Sequence, residues 1–158
     1  MTRSTERPVK VPPRWFIRTA WRVHRGVHRL TRGRIGLWTP RNKRGWGTLR
    51  LTTIGHRSGA ERAVILGYLE DDRDLVLLAM NGWGNGEPAW WLNLQANPDA
   101  TADLPDAPPR QVTARAASGT ERDRLWELWR GVEPRLDEYA ALRTTATAVV
   151  VLTHRARV

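Results

Sequence analysis

A short turn between two apolar segments concentrates the side chains best suited to binding an anion. Residues 55–59 read Gly-His-Arg-Ser-Gly, and Arg62 follows three positions later. Guanidinium groups match the geometry of phosphates and carboxylates, and each charge-assisted hydrogen bond contributes about 1.5 to 3 kcal/mol. His56, Arg57, Ser58 and Arg62 therefore predict an anion site. The alternative for the same residues is an ordinary glycine turn that carries surface arginines.

The segment NGWGNGEPAWWLNL, residues 81–94, is the second candidate for chemistry. Its glycines allow the backbone to approach a flat ring closely, and Trp83, Trp90 or Trp91 could form a wall of a pocket. The alternative is a loop followed by a helix that buries its tryptophans in the core. We expect burial for Trp90 and Trp91.

Other reaction classes lack the residues that they need. The sequence has no cysteine, and it lacks the motifs GxSxG, GxxxxGK[ST] and HExxH, as well as GxGxxG after a strand. The carboxylates are scattered over turns and polar faces, so their spacing does not pair two of them for glycoside hydrolysis. His24 and His28 are four residues apart without a third ligand nearby, so we interpret them as solvated side chains and predict no metal site. A protein without such residues can still be an enzyme if a bound cofactor carries the reaction and the protein orients it.

Positive charge is concentrated in the N-terminal third. The first 50 residues hold 14 lysines and arginines against one acid, Glu6, and the whole chain carries a formal net charge of +10. Over residues 14–32 apolar side chains recur at helical spacing, which predicts a basic amphipathic helix. This helix either covers the core with its arginines in solvent or lies on an anionic membrane surface. A nucleic-acid-binding module is a third interpretation of the same charge.

The length of 158 residues fits one globular domain overall. No apolar run approaches the roughly 20 residues that span a bilayer, and the first residues lack the apolar region and cleavage site of a secretory signal. We therefore expect a cytoplasmic location, with membrane association through residues 14–32 as the alternative.

The elements that must position these residues alternate strands with a few helices. Three consecutive strands come first, then a short helix with Pro88 in its first turn, two strands, a helix with Thr120 and Asp123 in capping-box spacing, and a final strand. Pairing of strands before any crossover predicts a mainly β (α+β) fold, an antiparallel closed or split barrel with the N-terminal basic helix and two further helices. The predicted strands are 48–54, 63–70, 75–80, 100–104, 111–117 and 146–153, and the predicted helices are 88–97 and 118–130.

Three segments together resemble the deazaflavin (F420)-dependent nitroreductase family over residues 48–153. They read LTTIGHRSGAERAVILGYL, LVLLAMNGWGNGEPAWWLNLQANP and RTTATAVVVL, and the first two contain the paired motifs TTxGxxSGxxR and NxxGxxxPxWxxNL. The resemblance implies a split β-barrel like that of FMN-binding proteins, with 1–47 as a basic leader and helix and 48–158 as the deazaflavin-binding domain.

The same resemblance implies coenzyme F420 as the cofactor. His56, Arg57, Ser58 and Arg62 would hold its phosphate and polyglutamyl tail. Ala63, Val64, Ala79, Met80 and Asn81 would lie along its ring and ribityl chain, and Pro88, Trp90 and Asn93 would shape the adjoining loop and helix. The chain departs from the family pattern at His56, where many relatives carry arginine, at Met80 and Asn81, and in keeping one tyrosine, Tyr139, in the substrate segment.

Family membership implies hydride transfer from the reduced deazaflavin to a small organic acceptor such as a quinone, an enone or a nitroaromatic. The accompanying proton would come from Tyr139 or from water. An FMN-dependent oxidoreductase and a non-catalytic F420 carrier on the same fold are the alternatives within this class.

Overall fold

A computed structural model describes residues 37–40, 45–105 and 107–155 of the chain, all within the compact unit Gly36–Val158. The basic helix expected over residues 14–32, with His24 and His28, lies outside the described residues. Within the described part, no helix is long and apolar enough to cross a membrane.

Six strands form the body of the protein. They are β1 (Gly47–Ile54), β2 (Glu61–Asp71), β3 (Asp74–Leu78), β4 (Asp99–Asp103), β5 (Arg110–Ala116) and β6 (Val149–His154). Their order is β1-β2-β3-β6-β5-β4, every neighbouring pair is antiparallel, and β4 pairs with β1 to close the barrel. The antiparallel barrel and all six predicted strands are confirmed, with ends that differ by up to three residues.

Apolar side chains from alternate strand positions fill the barrel interior. Leu51 of β1 stands opposite Val64 of β2 and Ala102 of β4 in the ladders. The interior residues with 2 % exposure or less include Leu49, Leu51, Tyr68, Leu75, Leu77, Ala102, Val112, Val150 and Leu152. Each large apolar side chain removed from water in this way stabilises the fold by about 1.5 to 3 kcal/mol. The β1–β2 ladder therefore has a fixed register, because a slip by one residue would move this set of side chains to the outside.

Helix α1 (Ala89–Ala96) contributes Trp90, Trp91 and Leu94 to the same interior cluster. The two tryptophans are 8 % and 5 % exposed, so the burial expected for them is confirmed. Pro88 precedes the helix with an extended backbone, and its carbonyl oxygen accepts hydrogen bonds from the amides of Trp91 and Leu92. The proline thus lies at the N-cap, directly before the first turn in which it was predicted.

Helices α2 (Gly119–Arg130) and α3 (Leu136–Ala141) cover the outer face of the barrel at β3 and β6. Their buried side chains Leu125, Trp126, Trp129 and Leu136 pack against Val76, Leu78, Val149 and Val151. Helix α3 was not predicted, because its six residues are too few for a periodic pattern to be recognised.

The capping box predicted at Thr120 and Asp123 is wrong. Helix α2 begins earlier, with Ser118 at the N-cap position and no side-chain cap. The Ser118 carbonyl oxygen already accepts the amide of Arg122, so Thr120 lies inside the first turn, where it cannot cap.

Candidate functional site

The predicted anion-binding residues are brought together on the turn between β1 and β2. Ile54 and Glu61 are paired at the ends of the two strands, and residues 55–60 connect them. The four side chains expected to bind an anion are all exposed there: His56, Arg57, Ser58 and Arg62. Gly59 has a φ of 66°, a left-handed conformation that favours glycine and lets the turn close.

The two arginines of this turn form no ion pair with the described residues. Neither Arg57 nor Arg62 has a carboxylate within ion-pair distance in the described part of the chain. Arg62 instead lies 3.5 Å from the Ser58 hydroxyl oxygen through Nη2. By contrast, Arg50, Arg115, Arg124, Arg130, Arg135 and Arg155 each pair with a carboxylate. Because Arg57 and Arg62 are exposed and unpaired, they are free to bind an external anion.

Asn93 of α1 fixes the position and the tautomer of His56. Its Oδ1 accepts the backbone N–H of His56 at 3.0 Å and lies 2.8 Å from the ring Nδ1, while its Nδ2 donates to the Thr53 hydroxyl at 3.0 Å. The Thr53 hydroxyl donates its hydrogen to the carbonyl oxygen of Arg62, so it accepts a hydrogen from Asn93. The Nδ2 of Asn93 therefore faces Thr53 and its Oδ1 faces His56. An amide oxygen only accepts, so Nδ1 carries a proton and Nε2 faces outward.

We expect Asn93→Ala to lower the free energy of unfolding by about 2 to 3 kcal/mol, because it leaves the buried Thr53 hydroxyl and the turn amide without their partner. Guanidinium chloride unfolding measures the change. Gln95→Ala is the matched control, since Gln95 is exposed on the same helix. Equal stabilities of the two variants would show that the Asn93 bonds contribute nothing net.

The glycine-rich segment begins with an uncommon left-handed turn. Asn81, Gly82 and Trp83 have φ values of 47°, 59° and 61° in succession. A side chain in this region crowds the following carbonyl, at a cost of roughly 1 to 2 kcal/mol for each residue. The strain at Asn81 and Trp83 persists only because neighbouring contacts hold it.

Arg143 supplies most of those contacts. Its guanidinium donates from Nη1 to the carbonyl oxygen of Ala79 at 2.6 Å, from Nε to that of Gly84 at 2.9 Å and from Nη2 to that of Gly86 at 2.9 Å. Nη1 also donates to the Thr147 hydroxyl at 2.7 Å. The residue is only 7 % exposed, and burial lowers the pKa of its guanidinium, while the charge of Glu87 acts in the opposite direction.

The chain after Arg143 is also bonded to the glycine-rich segment. The amide of Thr144 donates to Oδ1 of Asn85 at 2.7 Å, and the amide of Gly86 donates to the Thr145 hydroxyl at 3.1 Å. Residues 81–86 are therefore an ordered part of the structure, held from one side by residues 143–147.

Tyr139 of α3 lies against the same turn. Its ring stacks on that of Trp83, with centroids 5.5 Å apart and planes inclined by 18°, and the guanidinium of Arg135 lies 5.5 Å from its ring centroid. No group of the described chain hydrogen-bonds its hydroxyl, and the residue is half-buried. The phenol is thus held by its ring while its hydroxyl stays available to a ligand.

The other predicted site residues differ in what they can offer. Val64 is half-buried against the barrel interior, and Ala63 and Asn81 are exposed. Ala79 is fully buried, so only its backbone could contact a ligand, and Met80 packs on the outer cluster beside Trp83. Pro88 and Trp90 are buried at the start of α1.

A continuous series of contacts nevertheless joins the site. His56 bonds to Asn93, which lies five residues, or about 7.5 Å along the helix, from Pro88 at the end of the glycine-rich segment. That segment carries Trp83, which stacks on Tyr139. Helix α1 therefore links the β1–β2 turn to the glycine-rich segment, which the Trp83–Tyr139 stack links to α3.

Thr53, Trp83 and Arg143 were missing from the predicted site residues. The sequence suggests Trp83 only as a pocket wall, and Thr53 is the second threonine of the motif TTxGxxSGxxR, which by itself gives it no role. The sequence does single out Arg143 in one respect. It is the one basic residue of the segment RTTATAVVVL, which otherwise holds small or apolar residues and leads into the last strand. Among the described residues no group of three or more His, Cys, Asp and Glu side chains is arranged to hold a metal ion.

Comparison with known proteins identifies the relatives of this chain. The family model described as F420H(2)-dependent quinone reductase matches residues 20–154. An F420H(2)-dependent quinone reductase of Mycobacterium tuberculosis strain H37Rv is 32% identical over 138 residues, which cover 85% of this chain and 89% of the relative.

Solved structures give the same result. A structure described as an F420-H2 dependent reductase, FDR-A, superimposes with a TM-score of 0.60 at 28% identity, over 66% of this chain and 92% of the other. A second, described as a domain-swapped dimer, superimposes with a TM-score of 0.63 at 27% identity, over 85% of this chain and 98% of the other. The barrel is therefore the split barrel expected from the sequence.

Proposed function

The chain belongs to the F420H(2)-dependent quinone reductase family, and from this premise we propose that it binds reduced coenzyme F420 and reduces a quinone. The observation that carries the proposal is the pair of exposed guanidiniums of Arg57 and Arg62 on the β1–β2 turn, neither of which pairs with a carboxylate among residues 37–40, 45–105 and 107–155. The donor set fits the cofactor, because F420 carries a phosphate and a polyglutamyl tail and the turn offers two guanidiniums, an imidazole and a hydroxyl.

The remaining predicted residues have complementary tasks. Asn93 holds the turn that presents His56, while Pro88 and Trp90 fix the start of α1. Val64 and the backbone of residues 79–81 would lie beside the ring. When bound, reduced F420 supplies a hydride, which is a two-electron equivalent. The chain itself binds and orients the cofactor and the acceptor and excludes water. The β1–β2 turn carries no reactive nucleophile or thiol, which agrees with leaving the chemistry to the cofactor.

The proton of the reaction is assigned to Tyr139. A quinone that takes up one hydride and one proton becomes a hydroquinone, so a proton donor must lie near the acceptor. The Tyr139 hydroxyl forms no hydrogen bond within the described chain, and its ring is fixed by Trp83 and Arg135. Water is the competing donor.

Several finer properties remain proposals. Quinones are the acceptor class that the family description names, whereas enones and nitroaromatics are extensions to be tested as alternative substrates. Contact of residues 14–32 with an anionic membrane stays a prediction.

The test is a direct assay of binding and turnover. Fluorescence titration should show F420 binding at micromolar concentration or tighter, a binding free energy of about −8 kcal/mol or better. Anaerobic mixing of the protein with reduced F420 and a soluble naphthoquinone should regenerate the oxidised cofactor, whereas heat-denatured protein should not. FMN in place of F420 is the control for cofactor identity. Binding of FMN but not of F420 would contradict the proposal, and F420 binding without turnover of any quinone would identify a carrier.

A further inference from the structure

Arg143 is a buried cation whose hydrogen bonds all go to neutral acceptors. It donates to three carbonyl oxygens and one hydroxyl, at 2.6 to 2.9 Å, and no carboxylate of the described residues hydrogen-bonds it, although the charge of Glu87 acts on it from beyond ion-pair distance. A buried charge without an ion-pair partner is costly, so a neutral residue of similar size would serve a purely apolar packing role better. The fork-shaped guanidinium is needed because its acceptors are spread over three separate points of one loop.

Those points enclose the strained turn. Ala79 precedes Asn81–Trp83, and Gly84 follows it directly, so the bonds from Nη1 and Nε fix the chain on both sides of Trp83. Trp83 in turn stacks on Tyr139, four residues before Arg143. One stretch of chain, from α3 to Arg143, thus determines both the position of the turn and the ring that lies on it.

The hydrogen bonds of Arg143 do not extend to the β1–β2 turn. The tail-binding residues are held instead by Asn93 and Thr53, which share no hydrogen bond with Arg143. The site therefore has two independent supports, one for the turn with Arg57 and Arg62 and one for the Trp83–Tyr139 pair.

We infer that Arg143 is a positioning residue for the acceptor side of the reaction, which sets the geometry of Trp83 and Tyr139 and thereby selects and aligns the quinone. The inference rests on the proposed function. It predicts that loss of the guanidinium lowers acceptor kcat/KM much more than F420 affinity. Arg143 also bonds to Ala79 beside the ring, but the β1–β2 turn that holds the charged tail keeps its own support from Asn93.

The first variant is Arg143→Lys, which keeps the charge but not the fork. We expect kcat/KM for the quinone to fall about 10- to 100-fold, because misplacement by an ångström of the aligned groups has effects of this size. F420 affinity should change by about threefold or less, since separately supported sites behave additively. The ratio of kcat/KM between a small benzoquinone and a bulky naphthoquinone should also change. A residue that only stabilises the fold would lower both rates equally and leave that ratio unaltered.

A pair of glycine variants keeps the test valid if Arg143→Lys fails to fold. Gly82 and Gly59 are both left-handed, with φ of 59° and 66°, and an added Cβ meets no atom within 4 Å at either position. Alanine therefore introduces the same backbone strain at two different loops. Gly82→Ala should lower quinone kcat/KM and spare F420 affinity, whereas Gly59→Ala should do the reverse.

Hydrogen exchange in the cofactor-free protein provides a readout that does not depend on activity. The amides of Trp83 and Gly84 bond to Met80 and Asn81, and in Arg143→Lys they should exchange about tenfold faster or more. The inference would be overturned if the amide exchange and the ratio of kcat/KM for the two quinones were both unchanged in Arg143→Lys. It would also be overturned if F420 affinity fell as much as kcat/KM. Absence of F420 binding by the wild type would instead overturn the proposed function.

Discussion

Replacement of both Arg57 and Arg62 by alanine is expected to weaken F420 binding by at least about 100-fold, because each charge-assisted hydrogen bond to the tail contributes about 1.5 to 3 kcal/mol. Both side chains are exposed and have no carboxylate partner in the described chain, so their removal leaves no buried charge behind. The fold should therefore remain intact. Fluorescence titration at moderate salt measures the affinity, and thermal unfolding measures the stability.

Two controls separate a tail site from a general effect of charge. Arg73 is exposed on the turn at the far end of β2, about 30 Å along the strand from Arg62. Arg73→Ala should leave F420 affinity within about twofold of the wild type, because a charge that distant is screened at physiological salt. A deazaflavin that lacks the phosphate and glutamates should bind wild type and double variant equally. If Arg73→Ala weakens F420 binding as much as Arg62→Ala, net charge and not the turn attracts the cofactor.

The framework of the molecule could be predicted because it follows from local patterns. Alternation in residues 48–54 and the Gly-His-Arg-Ser-Gly turn specify the first hairpin, and the apolar runs at 75–80 and 146–153 specify two strands that are buried on both faces. The barrel buries one face of β3 in its interior and the other under α2 and α3, which explains why these runs do not alternate. The strand ends differ from the predicted ones because backbone hydrogen bonding between neighbouring strands, and not side-chain polarity, decides where strand pairing stops.

The supports of the candidate site could not be predicted, because they depend on contacts between distant parts of the chain. Asn93 bonds to His56 and Thr53, which lie 37 and 40 residues away, and Arg143 bonds to Ala79 across 64 residues. No spacing rule relates such positions until the barrel has closed. Among these supports Asn93 was named from its motif, whereas the roles of Thr53 and Arg143 became visible only in the structure.

Tyr139→Phe is expected to reduce kcat for quinone reduction by about 100-fold, the lower end of what a positioned proton donor contributes. Phenylalanine retains the stacking on Trp83 and the contact with Arg135, because both involve the ring and not the hydroxyl. F420 affinity should stay within about twofold of the wild type, since the tail site is supported separately. Single-turnover kinetics at saturating F420 and quinone isolate the reduction of the quinone from binding and product release.

The other tyrosine provides the matched control. Tyr68 is 1 % exposed within the barrel, and burial raises the pKa of its hydroxyl to about 12, so it remains protonated and away from any acceptor. Tyr68→Phe should therefore leave kcat unchanged for the molecules that fold. If Tyr139→Phe lowers kcat no more than Tyr68→Phe does, water delivers the proton. In that case Tyr139 acts through its ring alone, and Trp83→Leu, which removes the stacking partner, should slow quinone reduction more than removal of the hydroxyl does.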